Sequence, residues 1–382
     1  MNIFERAYNK LIRCLVHRYL ERKGIHDGFI LQMVTSSLIR DWNNCNQPIK
    51  QKIWAVKRGF YPSRIELYGL NEGNFKMYLS DFDYKKIFPL NNSFQKWLDD
   101  KLTTRYVFQD IRFKDFMPEY YLYIEKTGMY SYLMDFDDSI IKDSNSLLNI
   151  LINEKVLAVK PLYGSGGYGF LKLEYHNGEI FVNGKLVSNS EFDALKLKLK
   201  GYIVTKYCYQ HNFLASVWPE SECTLRIIIA KIHDQYGDGT SQAIVSYARF
   251  GTSISGSTSN LSQGGVGVPF DLESGAFGDY FYRYKKFDAN GQIKYEVHPD
   301  THVSLRGKAI PNWDIVKKGL SDLVNYFSTL EYFGFDVIVT DDGFKICEIN
   351  SLPQIDYEQV MCGPIWTNKF AKRFFENKLN NC

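Results

Sequence analysis

The chain has 382 residues, of which 45% are hydrophobic and 23% charged, with a net charge of +3. That balance describes a folded protein of two or three domains, excludes a mostly disordered chain and is too weakly basic for bulk nucleic-acid binding. No run of about 18 apolar residues predicts a membrane-spanning helix.

Residues 1–25 read as a basic amphipathic helix. Ile3, Phe4, Tyr8, Leu11, Leu15 and Tyr19 recur at three- and four-residue steps, while Arg6, Lys10, Arg13, Arg18, Arg22 and Lys23 oppose only Glu5 and Glu21. Packing on its own domain is the plainer expectation, with peripheral contact to a membrane or a partner as the alternative. Scattered charge and the lack of a small-residue cleavage site argue against a secretion signal. Residues 26–90 carry no interpretable motif. Asn91-Asn92-Ser93 starts a second predicted helix, with Phe94, Trp97, Leu98 and Leu102 on one stripe and Lys101 within it.

From about residue 120 the texture changes to short strands. Glu154–Leu162, Phe170–Tyr175, Tyr202–Tyr207, Leu225–Ile232 and Ala243–Arg249 read as strands, and Asn177-Gly178 and Asn183-Gly184 as hairpin turns. Residues 251–280, rich in Gly, Ser and Thr, are too long for an idle connection. Asp314–Tyr332 reads as a helix, followed by the strands Phe333–Thr340 and Phe344–Asn350. Seven cysteines, at 14, 45, 208, 223, 347, 362 and 382, include no Cys-x-x-Cys pair, so free thiols in a reducing cytoplasm are expected. Cys208 and Cys223 read as small core residues.

The final strand pair carries the first chemical signal. With Asp341-Asp342-Gly343 as a three-residue hairpin loop, Asp336 faces Glu348, and Asn350 shares their side of the sheet. Two facing carboxylates repel, and a hard cation such as Mg²⁺ would relieve them. A solvated strand end, or carboxylates paired with Lys or Arg, are the alternatives. The second signal is Lys160 at the end of an apolar strand, followed by Gly164-Ser165-Gly166-Gly167-Tyr168-Gly169. Such a loop can close backbone N–H groups over phosphates. It leads into a strand and lacks Gly-Lys-Ser/Thr, so neither a Rossmann fingerprint nor a Walker loop fits. Arg226 and Arg249 are charges inside apolar strands and need anionic partners, either a phosphate or a structural carboxylate.

In this order, the helix lysine, the strand lysine with its glycine loop, the strand arginines and the Asp…Glu-x-Asn hairpin resemble the ATP-grasp enzymes. Tyr209-Gln210-His211, Thr224-Leu225-Arg226, Asn260-x-x-Gln-Gly-Gly, His298-Pro299-Asp300 and Ile310-Pro311-x-Trp313 resemble their sugar-transfer-associated branch, found with capsule and teichuronopeptide synthesis. The likeness runs over roughly residues 95–375. It implies an α+β fold with two α+β subdomains sandwiching ATP, after a mainly helical N-terminal region, with boundaries at 1–90, 91–207 and 208–382.

The resemblance also implies roles, with ATP and Mg²⁺ as cofactors. Lys101 and Lys160 would hold phosphates under a lid containing Gly164, Ser165, Gly166 and Gly167. The backbone of 203–207, with Val204, Thr205, Lys206 and Tyr207, would read adenine. Asp336, Glu348 and Asn350 would hold Mg²⁺. Arg226, Arg249 and Asn260 would bind the transferring phosphoryl group and the acceptor carboxylate, with Gly264, Gly265 and His298 on the acceptor side. The implied reaction joins a carboxylate to an amine through an acyl phosphate, with a sugar or uronic acid and an amino acid or other amine as substrates and glycosyltransferases as neighbours. A nucleotide-binding scaffold or a kinase are the alternatives. Two departures stand out: the hinge lacks the usual ribose-binding Glu, and Cys223 stands where the strand-arginine motif usually has Asn. The location implied is cytoplasmic, with membrane association through residues 1–25 as the alternative.

Overall fold

The structure, a computed structural model, describes residues 3–164, 166–233 and 239–381, with side chains from residue 10 onward. The chain forms two compact units, one of Met1–Ser93, Ala230–Ile244 and Leu352–Cys382, the other of Phe94–Ile229 and Val245–Ser351.

The first unit is largely helical. Residues 26–90, without a motif in the sequence, supply short helices over Asp27–Thr35, Ser37–Asn44, Ile49–Lys57, Arg64–Tyr68 and Asp81–Lys86. Asp356–Met361 and Lys369–Asn380 join them from the far end of the sequence. Their apolar centre includes Leu20, Ile30, Met33, Val34 and Phe82. A buried ion network crosses it: the Arg64 Nη2 lies 2.9 Å from an oxygen of Asp81 and 2.9 Å from one of Asp356. The first helix, Ile3–Arg22, packs through its C-terminal turns, where Leu20 is fully buried and the Tyr19 hydroxyl donates to the Val56 carbonyl. Leu11 and Leu15, assigned to the apolar stripe, are 59% and 57% exposed. The side chains of Ile3, Phe4, Glu5, Arg6 and Tyr8 lie outside those described. Among the described residues no helix is long and apolar enough to cross a membrane.

The second unit holds most of two seven-stranded sheets. Fourteen strands supply them: β1 (Tyr120–Ile124), β2 (Tyr130–Tyr132), β3 (Val156–Pro161), β4 (Leu171–His176), β5 (Glu179–Val182), β6 (Lys185–Val187), β7 (Tyr202–Lys206), β8 (Thr224–His233), β9 (Gly239–Phe250), β10 (Val266–Pro269), β11 (Phe281–Tyr282), β12 (Lys294–Tyr295), β13 (Tyr332–Thr340) and β14 (Gly343–Asn350). The first sheet has the order β2-β1-β7-β3-β4-β5-β6, the second β12-β11-β10-β9-β8-β13-β14. β-branched and leucine residues of β1, β3 and β7 pack against the helix Ser146–Glu154 through Leu122, Leu147, Leu151, Leu157, Val159 and Val204. Both Asn-Gly turns have positive φ at both residues, as hairpins of this type require.

Three elements differ from the sequence reading. The helix expected from Asn91 is a 3₁₀ turn at Asn92–Gln95 followed by helices Lys96–Asp99 and Lys101–Val107. It breaks because Asp100 is extended and caps the second helix, accepting from the Thr103 N–H at 2.7 Å. The helix expected to reach Tyr332 spans Trp313–Tyr326, and the buried Phe327 and Leu330 continue its apolar pattern beyond the helix, on either side of a turn. The 251–280 segment is partly sheet, since β10 pairs with β9 from Val266↔Phe250 to Pro269↔Tyr247.

Candidate active site

The last hairpin places Asp336 opposite Glu348, as the sequence predicts, but by a different route. The turn has two residues, because Thr340 pairs with Gly343. The ladder then runs to Val337↔Ile346, where a bulge at Cys347 restores the pairing of Asp336 with Glu348. The bulged residue leaves its carbonyl outside the ladder, and the Lys160 Nζ donates to it at 3.1 Å.

Asp336 is 7% exposed and held by two arginines. Arg226 donates from Nε to Oδ1 at 2.6 Å and from Nη2 to Oδ2 at 3.2 Å, and the Arg249 Nη2 lies 3.0 Å from Oδ2. Burial alone would raise the carboxyl pKa; Arg226 and Arg249 outweigh it and hold it below the usual carboxylate range. The strand arginines and the hairpin acid, treated separately in the sequence, are thus one ion cluster. Glu348 is half-buried and lies 3.2 Å from the Lys101 Nζ. Asn350, two residues on, shares its strand face. Among the described residues no three His, Cys, Asp or Glu side chains cluster as a metal site. Any hard-cation site at this hairpin therefore depends on the oxygens of Glu348 and Asn350, with Asp336 already engaged.

Lys101 opens the helix Lys101–Val107 and is buried. Besides Glu348, its ammonium reaches the Gly164 carbonyl at 3.1 Å, so it bridges the glycine loop and the acidic hairpin. The lid residue Ser165 lies outside the described residues. Gly166 and Gly167 rest on the segment 258–263: the Gln263 Nε2 donates to the Gly166 carbonyl, and a Cβ at Gly167 would stand 2.6 Å from the Asn260 Nδ2. Asn260 in turn accepts from the Arg249 Nη1 at 3.3 Å. Lid, loop, arginines and hairpin acid form one hydrogen-bonded chain. Gly167→Ala combines this collision with a φ of +74°, a strain of about 1–3 kcal/mol. The variant is expected to unseat the lid, speeding chymotrypsin cleavage at the exposed Tyr163 and Tyr168 while leaving the unfolding temperature nearly unchanged.

Other expected residues take different positions. β7 lies between β1 and β3 and pairs with both along Tyr202–Thr205, so the backbone of Ile203, Val204 and Thr205 is engaged in the sheet on both sides. The chain leaves the sheet at Tyr207. Lys206 points to Glu119 and Glu154, at 3.5 and 3.7 Å. His298 is fully buried: Nε2 contacts the Gly251 carbonyl at 2.9 Å, Nδ1 accepts from the backbone of Asp300 and Thr301, and the ring stacks on Trp218. It braces a loop and is not brought to the lysine cluster. Gly264 and Gly265 form the turn behind Gln263; a Cβ at Gly265 would meet the Ser259 carbonyl at 2.6 Å.

Glu222 is the residue the sequence reading missed. Its Oε1 accepts from the Tyr207 hydroxyl and its Oε2 from the Gln210 N–H, each at 2.7 Å. Burial raises its pKa against those two hydrogen bonds. It places a carboxylate beside Tyr207 and Gln210, just beyond β7. The available signal was its position next to Cys223, where the motif departs.

The sequence pattern of the family described as sugar-transfer associated ATP-grasp matches residues 83–372. No curated protein matches. Solved structures that resemble the chain include the D-alanyl-alanine synthetase A from Vibrio cholerae O1 biovar eltor, with 11% identity, a TM-score of 0.40 and coverage of 75% of this chain and 65% of that one. The ATP-grasp ligase PsnB complexed with minimal precursor has 10% identity, a TM-score of 0.36 and coverage of 75% and 62%. The D-alanine–D-alanine ligase from Bacillus anthracis has 13% identity, a TM-score of 0.33 and coverage of 78% and 71%. The chain thus spans less than two thirds of the first two. With the family pattern covering three quarters of its length, the chain belongs to the sugar-transfer associated ATP-grasp family.

Proposed function

We propose that the chain is an ATP-dependent carboxylate–amine ligase that forms an amide through an acyl phosphate. Its proposed substrates are a sugar or uronic acid of a surface polysaccharide and an amino acid or other amine. One observation carries the reading: Lys101 touches the glycine loop and Glu348 at once, which supports a phosphate and cation site where loop, lysine and acid meet. ATP with Mg²⁺, when bound, supplies the phosphoryl group that activates the carboxylate. Lys101 and Lys160 hold its phosphate oxygens as point charges. Glu348 and Asn350 suit a hard divalent cation, and Asp336 becomes a third ligand only if a phosphoryl group draws Arg226 and Arg249 away from it. Tyr207–Tyr209 supply backbone to adenine, with Glu222 beside the ribose. Arg226, Arg249 and Asn260 orient the phosphoryl group and the acceptor carboxylate, and the closed lid keeps water from the acyl phosphate.

The test is hydroxylamine trapping. With MgATP and a panel of uronic acids, amino sugars and amino acids, the purified protein should release ADP and convert one carboxylate to its hydroxamate. A stable phosphate ester formed without any amine would make it a kinase. Tight MgATP binding with neither product, in the presence of glycosyltransferase partners, would make it a scaffold.

A further inference from the structure

The face of the second sheet that carries Arg249 continues outward as a single row of paired residues. Across β9, β10, β11 and β12 the pairs are Arg249↔Gly267, Gly267↔Tyr282 and Tyr282↔Lys294. Directly opposed residues share a face of the sheet, so the row runs from Arg249 past a glycine to Tyr282 and ends at Lys294 on the edge strand. Tyr280, two residues before Tyr282, stands on the same side. The Lys294 Nζ lies 3.8 Å from the centre of its ring and 5.8 Å from that of Tyr282. Phe250 and Phe281, next in sequence to Arg249 and Tyr282, face the other way and are buried with ring centres 6.0 Å apart. Burial falls outward along the row: Arg249 is buried, Tyr282 half-buried and Lys294 exposed. Among the described residues no carboxylate pairs with Lys294.

We infer that this row is a subsite for an acidic saccharide chain, in which Tyr280 and Tyr282 stack on sugar rings and Lys294 pairs with a carboxylate beyond the acceptor unit. The inference deepens the ligase reading above and rests on it, since Arg249 at the inner end is the acceptor arginine there. Three strand spacings separate Arg249 from Lys294, about 14 Å, which is longer than one sugar ring. The two cations therefore suit a substrate with anionic groups at both ends of that span, a chain of uronic acids rather than a free monosaccharide. A tyrosine ring offers a flat apolar body with a hydroxyl at its tip, which matches the mixed apolar and hydroxylated surface of a pyranose. Gly267 adds no side chain between the arginine and the rings. The ring contacts hold the Lys294 ammonium over the row. Arg249 is engaged with Asp336 and Asn260, whereas Lys294 has its charge to spend, so the outer end binds without nucleotide.

Calorimetry on the full-length protein without nucleotide compares galacturonic acid, its linear trimer, a neutral galactose trimer and tripolyphosphate. The acidic trimer is expected to bind about tenfold tighter than the monomer or the neutral trimer. Lys294→Gln should weaken the acidic trimer by about fivefold and flatten its salt dependence. Tyr282→Ala should weaken it likewise, while Tyr282→Phe, which keeps the ring, retains the affinity. Lys286→Gln, at an exposed lysine outside the row, should change nothing. Thermal melts accompany each variant; if Tyr282→Ala melts early, the exposed Lys294→Gln decides alone. The row is overturned if the acidic trimer does not bind, or binds no tighter than the monomer or tripolyphosphate. Equal losses in Lys286→Gln and Lys294→Gln overturn it as well. ADP release with MgATP separates the two readings. Full-rate turnover of the free monosaccharide, unchanged by Lys294→Gln, keeps the ligase and discards the row. Trimer binding that responds to the row variants, with no ADP released from any substrate, keeps the row and discards the ligase.

Discussion

Replacing Asp336 by alanine is expected to destabilise the protein by about 3–5 kcal/mol, because it removes the carboxylate that the buried Arg226 and Arg249 share. Urea denaturation at pH 7, without nucleotide or metal, measures this. Asp336→Asn should recover only part of the loss, since the amide matches the shape but not the charge. The pH dependence has a definite sign. The carboxyl pKa is lowered in the folded state, so its contribution is complete above the unfolded value of about 3.9 and fades as pH falls through the lower folded value. The substituted proteins should lose that acid-side slope. Were Asp336 held chiefly for a cation, the metal-free protein would tolerate the change and only Mg²⁺-dependent ATP binding would suffer.

Lys160→Met should divide structure from binding in the opposite way. In the protein alone, Lys160 donates to a single uncharged acceptor, the Cys347 carbonyl. Losing that bond costs about 1 kcal/mol, and the Met chain refills the apolar path of the lysine stem. Against a phosphate the same ammonium makes a charge-assisted bond of about 1.5–3 kcal/mol. ATP affinity should therefore drop by about 10–150-fold. Calorimetric titration with MgATP, paired with a thermal melt, separates the two terms. A large drop in melting temperature with unchanged ATP affinity would place Lys160 in the scaffold.

Much of the second unit was legible because its strands are short β-branched runs ended by strong turn residues. The two Asn-Gly turns fell where expected since only residues tolerant of positive φ close such hairpins. The acid pair was legible for the wrong geometric reason, one residue having been assigned to the turn when it belongs to a bulge. The break at Asp100 was hidden because its cap competes with a continuous apolar stripe, and periodicity does not register a side chain folding back on its own backbone. β10 was hidden by its composition: Val266-Gly267-Val268-Pro269 is too short and too rich in Gly and Pro to read as a strand until β9 supplies its partner. The engagement of residues 203–205 was hidden because sequence alone does not say that β7 has a neighbour on each side. Tertiary pairing also decided what Arg226 and Arg249 bind. A buried arginine in a strand announces that it needs an anion, not which one.

The extra residue at 347 keeps two duties apart. Deleting it would straighten β14 into a regular ladder in which residue 336 still meets 348, because the deletion removes the one-residue offset between the Val337↔Ile346 and Asp336↔Glu348 pairs. What would vanish is the spare carbonyl that moors the Lys160 ammonium. A single-residue deletion could thus preserve the alignment of the acids and cast loose the lysine, a separation that no point substitution of either charged group provides.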